Sequence, residues 1–141
     1  MTSLRRFGQL VSDFGGLVDF LVVYVEEAHP VEANHFKNIL EVQEHTQLQD
    51  RIDAAGVLMQ EEGENLLGCK VVVDNMSNDG CFAYAAFPER LYIIQEDKVA
   101  FVGECSAMKM VKSIKDAKRW LDKNTGNGSK NPFKASIKRK H

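Results

Sequence analysis

Residues Phe20–His29, FLVVYVEEAH, constrain the possible folds of this chain more than any other stretch. Phe20–Val25 is a run of six apolar or aromatic residues that turns abruptly into Glu26, Glu27 and His29. A short, β-branched, uninterrupted run of this kind reads as a strand buried on both faces of a parallel sheet. In open α/β sheets ligands bind beyond the carboxyl ends of the strands. A strand that delivers two carboxylates and an imidazole there marks a candidate active-site edge. The plainer alternative is that these charges show only where the strand meets water.

The flanking segments supply partners for such a strand. Leu4, Phe7, Leu10, Val11 and Phe14 recur at intervals of three and four, which gives an amphipathic helix over Thr2–Phe14, stopped by Gly15-Gly16. Val31–Glu44 reads as a loop with a short helical turn. Leu48–Gln60 reads as a helix with Leu48, Ile52, Ala55 and Met59 on its apolar face and Thr46 as N-cap. Lys70–Asp74 is a second β-branched strand, Asn75–Gly80 is turn chemistry, and Cys81–Phe87 is a short helix packed by Phe82, Tyr84 and Phe87. Arg90–Gln95 and Val99–Val102, joined through Glu96-Asp97-Lys98, form an antiparallel hairpin. Val111–Leu121 repeats as a C-terminal helix, and the Gly-, Asn- and Lys-rich residues after it are expected to be an unstructured tail.

Charge and cysteine usage narrow the function classes. The net charge of −2 hides five basic and no acidic residues in Thr125–His141, so the rest of the chain sums to −7. An acidic body argues against nucleic acid as the main ligand. Cys69, Cys81 and Cys105 lie far apart, with no spacing that suggests zinc, and their odd count favours a reducing compartment. The longest apolar run is six residues, far below the ~20 needed to cross a bilayer, so the chain as written reads as soluble.

Strands alternating with helices, closed by a hairpin and a helix, give an α/β, thioredoxin-like pattern that lacks its first strand. Pro88, just ahead of the hairpin, fits the cis-proline such domains often carry there, or is an ordinary trans proline at a strand start. FLVVYVEEAH, His45 in HTQLQDR, CKVVVD and FPERLYIIQE together resemble the iodothyronine deiodinases, thioredoxin-fold selenoenzymes that remove iodine from thyroid hormones. The resemblance runs from about Phe7 to about Lys123, so that residues 1–123 form the domain and 124–141 a basic flexible tail.

The resemblance implies roles for particular residues. Tyr24, Glu27 and His29 match a hydrogen-bonded network beside the reactive selenium, and His45 matches the second active-site histidine. Arg90, with His29, matches a position proposed to hold the ends of the iodothyronine, and Cys69 a cysteine thought to help regenerate the enzyme. The chemistry is coherent: attack on an aryl iodide needs a proton at the departing carbon, and histidine is a natural general acid. Glu27 could orient His29, and an arginine binds a carboxylate bidentately. Against these stand plainer roles: His45 as a cap of the following helix, Cys69 as a small buried hydrophobe, and Arg90 paired with an acidic neighbour.

This sequence also departs from the family pattern. Val31-Glu32-Ala33-Asn34 stands where the family has a Ser-Asp-Gly-Trp-like run, and Gly103–Ala107 replaces a Gly-rich, Pro-containing segment. Neither selenocysteine nor a matching cysteine is present ahead of the first helix. The expectation is that Met1 is an artefactual start downstream of a selenocysteine codon, and that the family's membrane anchor is lost by the same event. In the thioredoxin pattern the absent strand belongs between the Phe20–Val25 and Lys70–Asp74 strands, so those two either close up directly or leave the chain poorly folded. The reading is therefore a deiodinase whose nucleophile is absent, with no cofactor in this chain. Its expected partners are an iodothyronine, a thiol reductant and a second copy in a homodimer. Two alternatives are an inactive thioredoxin-like binding module that starts at Met1, and a peroxiredoxin-like thiol protein using Cys69, Cys81 or Cys105.

Overall fold

The computed structural model describes residues 2–26 and 45–126. Helix α1, Ser3–Phe14, begins where the Thr2 hydroxyl accepts the Arg5 N–H at 3.2 Å, and it buries Leu10, Val11 and Phe14. Its partner is the last helix, Met110–Asn124, which buries Met110, Ser113, Ile114, Ala117 and Leu121. Leu10, Phe14, Met110, Ile114 and Leu121 form one apolar cluster between the two helices. Both helices thus obey the periodicity of their sequences.

Strand β1, Phe20–Tyr24, pairs in parallel with β2, Cys69–Val73, in register from Phe20↔Cys69 to Tyr24↔Val73. Helix α2, Leu48–Glu61, and a turn of chain make the crossover between them. A short helix α3, Asp79–Tyr84, then leads to the hairpin of β3, Tyr92–Gln95, and β4, Lys98–Val102. Glu96 and Asp97, at φ of 51° and 60°, form the two-residue turn, the left-handed pair that matches strand twist in a hairpin. The register shifts between Ile93, opposite Phe101, and Ile94, opposite Val99, which leaves Ala100 as a bulge. A 3-10 turn, Ala107–Lys109, enters the last helix, α4. The Phe87–Pro88 bond is cis.

The architecture is mixed α/β, and among the described residues its strands form two separate two-stranded sheets. The helix pair holds them together: Phe20 from one sheet, and Leu91 and Ile93 beside and within the other, pack onto the same α1–α4 cluster. Phe7 meets the Phe20 ring edge-on at 5.8 Å. Among the described residues no helix is long and apolar enough to cross a membrane.

Of the two outcomes expected for the Phe20–Val25 and Lys70–Asp74 strands the structure shows the first: they close up directly, Phe20–Tyr24 pairing with Cys69–Val73. Other expectations need correction. β1 is not buried on both faces, because Leu21 is 57% and Val23 44% exposed while Phe20, Val22 and Tyr24 turn inward. On α2, Leu48, Ile52 and Met59 are exposed and the buried residues are Arg51 and Ala55. Phe82, Tyr84 and Phe87 do not pack α3; Cys81 is its buried residue. The segment Val31–Glu44 and residues 127–141 of the expected tail lie outside the described residues.

Gly8 sits where α1 crosses the Glu62–Gly68 turn, and a Cβ there would stand 2.8 Å from the Asn65 carbonyl oxygen and 2.9 Å from its Cα. Alanine normally stabilises a helix interior by ~0.5–1 kcal/mol over glycine. Forcing two backbones apart costs more, about 1–3 kcal/mol. Gly8→Ala should therefore lower the urea midpoint of unfolding at an unchanged m value, and a raised midpoint would refute the close approach.

Candidate functional site

The carboxyl ends of β1 and β2 are where the chemistry-bearing side chains converge. Tyr24 closes β1, and its carbonyl accepts the Asp74 N–H at 2.8 Å, so the parallel ladder continues one step past β2. The Tyr24 ring lies 6.0 Å from the His45 imidazole, tilted by 41°. Two residues past Tyr24, Glu26 accepts a 3.1 Å hydrogen bond from the Asn78 side-chain amide. Strand ends, the entry to α2 and the entry to α3 thus meet in one place.

Arg51 joins them. It is 2% exposed, and its Nη1 donates to the carbonyls of Asp74 at 3.2 Å and Asn75 at 2.6 Å, just past the end of β2. Its Nε donates to His45 Nδ1 at 3.4 Å. A guanidinium is the side chain suited to this task, since its rigid planar fork serves several acceptors at once and it stays charged when buried. Nothing in the hydrophobic period of α2 announces it. The available signal was that Arg51 and Ala55, four residues apart, share one helical face.

Asp74 stands beside this guanidinium and organises the next element. Its carboxylate accepts backbone N–H groups of Asn75 at 3.0 Å, Gly80 at 3.0 Å and Cys81 at 2.8 Å, which fastens the start of α3 to the end of β2. Burial pushes the Asp74 carboxyl up, but the three N–H donors and the charge of Arg51 outweigh it and hold the group below the ordinary carboxylate value. Cys81, beneath it, is buried, and burial pushes its thiol up.

His45 does not cap α2. That role falls to Asp50, whose Oδ2 accepts the Thr46 N–H at 2.9 Å, the Thr46 hydroxyl at 2.9 Å and the Gln47 N–H at 3.0 Å. The N-cap is Gln47 and not Thr46. These donors hold the Asp50 carboxyl below its usual value, the Thr46 hydroxyl contributing most. His45 is left facing the strand ends, and among the described residues its buried Nε2 has no hydrogen-bond partner, nor has the buried side-chain oxygen of Asn78.

The other residues singled out from the sequence fall elsewhere. Glu27 and His29 lie outside the described residues. Cys69 pairs with Phe20 at the amino end of the parallel sheet, whereas Tyr24 closes the opposite end, and burial pushes its thiol up. Arg90 precedes β3 and donates through Nε to the Gly103 carbonyl at 2.9 Å and through Nη1 to the Ala85 carbonyl at 3.4 Å. Its guanidinium carbon stands 5.5 Å from the Tyr92 ring centre, and no acidic side chain pairs with it among the described residues. The Cys105 thiol donates to the Phe87 carbonyl at 2.8 Å. The structure therefore brings Tyr24 and His45 together, adds Arg51 and Asp74 to them, and leaves Cys69 at the far end of the sheet.

Comparison with known proteins gives the same direction. The iodothyronine deiodinase family model matches residues 1–125. The type I iodothyronine deiodinase of Xenopus laevis is 45% identical over 72% of this chain and 38% of its own length. The thyroxine 5-deiodinase of Gallus gallus is 40% identical over 86% of the chain and 45% of its own length. The type II iodothyronine deiodinase of Petromyzon marinus is 44% identical over 71% and 34%, respectively. The chain thus spans less than half the length of these relatives.

Asp74 provides the test of this geometry. Its folded-state value is depressed, so its contribution to stability is present above the unfolded value of ~3.9 and is lost as the pH falls through the folded value. Asp74→Asn should cost about 1–3 kcal/mol at pH 7, because hydrogen bonds to a charged acceptor are weakened. Urea unfolding should show that difference shrinking once the pH drops below the ordinary carboxylate range. A difference that does not change with pH would mean that the charge is not what holds α3.

Proposed function

Since the chain belongs to the iodothyronine deiodinase family, we propose that it is the carboxyl-terminal part of an enzyme that reductively removes iodine from thyroxine-like substrates. The observation that carries the reading is the carboxyl edge of the parallel pair, where an imidazole nitrogen is buried beside Tyr24 with no hydrogen-bond partner among the described residues. Replacing a carbon–iodine bond with carbon–hydrogen consumes a proton and an electron pair. A thiol reductant would supply the electrons. A selenocysteine ahead of α1, outside this chain, would supply the nucleophile. An imidazole whose buried Nε2 has no partner among the described residues fits such a group, because it leaves a polar atom for an incoming ligand or nucleophile.

The residues of this chain would bind and orient. His45 and His29 serve as acid and ligand-positioning groups, with Glu27 and Tyr24 in the supporting network. Arg90 remains the proposed partner of the substrate's carboxylate; its Nε and Nη1 are already engaged, so it would bind through Nη2. Cys69, half-buried and remote from Tyr24, is the weakest fit, since the thiolate rather than the thiol is reactive. A thioredoxin-like sheet would need a further strand on the edge of β1 away from β2, which no strand pairs among the described residues. We also propose that the whole protein is a membrane-anchored homodimer.

Iodide release tests this reading. The 141-residue chain alone, given thyroxine and dithiothreitol, should release none above the buffer rate. The protein encoded by the transcript read upstream of Met1, with an in-frame selenocysteine codon, should release it. In that protein His45→Ala should lower the rate by about 10²–10⁴-fold. Release by the short chain would refute the assignment of the nucleophile. A transcript with no such codon would refute the selenoenzyme, and thyroxine binding without turnover would make the chain a binding module.

A further inference from the structure

The strongest unassigned feature is the reach of Arg51 from the strand ends to the imidazole. A neutral histidine has one ring nitrogen that donates and one that accepts, and a neighbour's hydrogen bond decides which is which. Arg51 can only donate. Its Nε–H points at His45 Nδ1 across 3.4 Å, while its Nη1 is anchored on the Asp74 and Asn75 carbonyls. The arginine is 2% exposed and cannot swing away without releasing the buried Asp74 carbonyl and the part-buried Asn75 carbonyl. The accepting nitrogen is therefore Nδ1, and the ring proton sits on Nε2, the buried atom that no group among the described residues engages.

We propose that Arg51 is a positioning residue that locks His45 in the Nε2–H tautomer, so that the site presents a neutral hydrogen-bond donor to its ligand. This deepens the deiodinase reading and rests on it for the identity of that ligand. An Nε2–H of this kind suits an aryl oxygen or a developing anion better than it suits a cation. It also divides the labour: His45 holds and polarises the ligand, and the proton consumed by the reaction reaches carbon from another group.

Nitrogen-15 NMR of the imidazole rings of the full chain tests this without any substrate, so its result does not depend on whether the protein is a deiodinase. The chain has four histidines, and His45 is assigned by the signal lost in His45→Gln. In the native protein Nδ1 should be of the unprotonated type and Nε2 of the protonated type. In Arg51→Lys, whose single ammonium cannot span the ring and both carbonyls, the two signals should move towards the averaged values of a mixed population. A proton on Nδ1 in the native protein, or an unchanged pattern in a folded Arg51→Lys, overturns the proposal. Should Arg51→Lys fail to fold, two isosteres decide instead. Asn places its amide near Nδ1 and can still accept from Arg51, whereas Gln places its amide near Nε2. His45→Asn should keep the native urea midpoint and His45→Gln should lower it; the reverse order overturns the proposal. In the selenocysteine-containing protein, iodide release that needs His45 while the tautomer proves wrong would remove this inference and leave the proposed function standing.

Discussion

One buried guanidinium holds the carboxyl edge of the parallel sheet together. Strand-end carbonyls that leave a ladder still need donors, and a buried one without a donor costs roughly 1–3 kcal/mol. Arg51 supplies those donors to Asp74 and Asn75 from the neighbouring helix. Its own charge needs compensation, and Asp74 provides it from the same strand end. Asp74 in turn collects the first N–H groups of α3. One guanidinium and one nearby carboxylate, each through its own hydrogen bonds, therefore position the helix before β2, the helix after it and the imidazole of His45. The electrostatics is local, but it fixes three chain segments at one sheet edge.

The apolar core does a different job. It joins two half-sheets that do not touch through hydrogen bonds among the described residues, by giving each a place on the α1–α4 cluster. Gly8 and Gly103 allow the close approaches this requires; a Cβ on Gly103 would meet the Ser113 side chain at 2.9 Å. Ser113 repays the contact by accepting the Glu104 N–H at 3.0 Å. The site is thus borne by a scaffold whose polar edge and apolar centre are built from separate sets of residues.

How much of this the sequence reveals depends on whether burial follows apolarity. In α1 and α4 it does, and Leu10, Phe14, Ile114, Ala117 and Leu121 lie where their spacing puts them. The hairpin was legible for another reason: a short polar turn between β-branched runs leaves few choices of register. α2 was misread because its inward face is led by an arginine, which a hydrophobic pattern scores as solvent-facing. Phe82, Tyr84 and Phe87 were misread in the opposite sense, since aromatic residues on a six-residue helix need not find a core. Of the candidate site, Tyr24 and His45 were visible through a family resemblance. Arg51 and Asp74 were not, because their roles depend on a contact between residues 23 positions apart.

That contact also bears on how the chain closes on itself. The parallel register joins residues 49 positions apart, Phe20 to Cys69, whereas the hairpin joins Gln95 to Lys98, only three apart. At about 0.6 kcal/mol of closure entropy for each doubling of loop length, the parallel pair is disfavoured by roughly 2–3 kcal/mol relative to the hairpin. Arg51 reaches Asp74 across about half that separation. Docking α2 on the end of β2 divides one long loop into two shorter ones, so the residue that shapes the imidazole also shortens the distance over which its strand must find a partner.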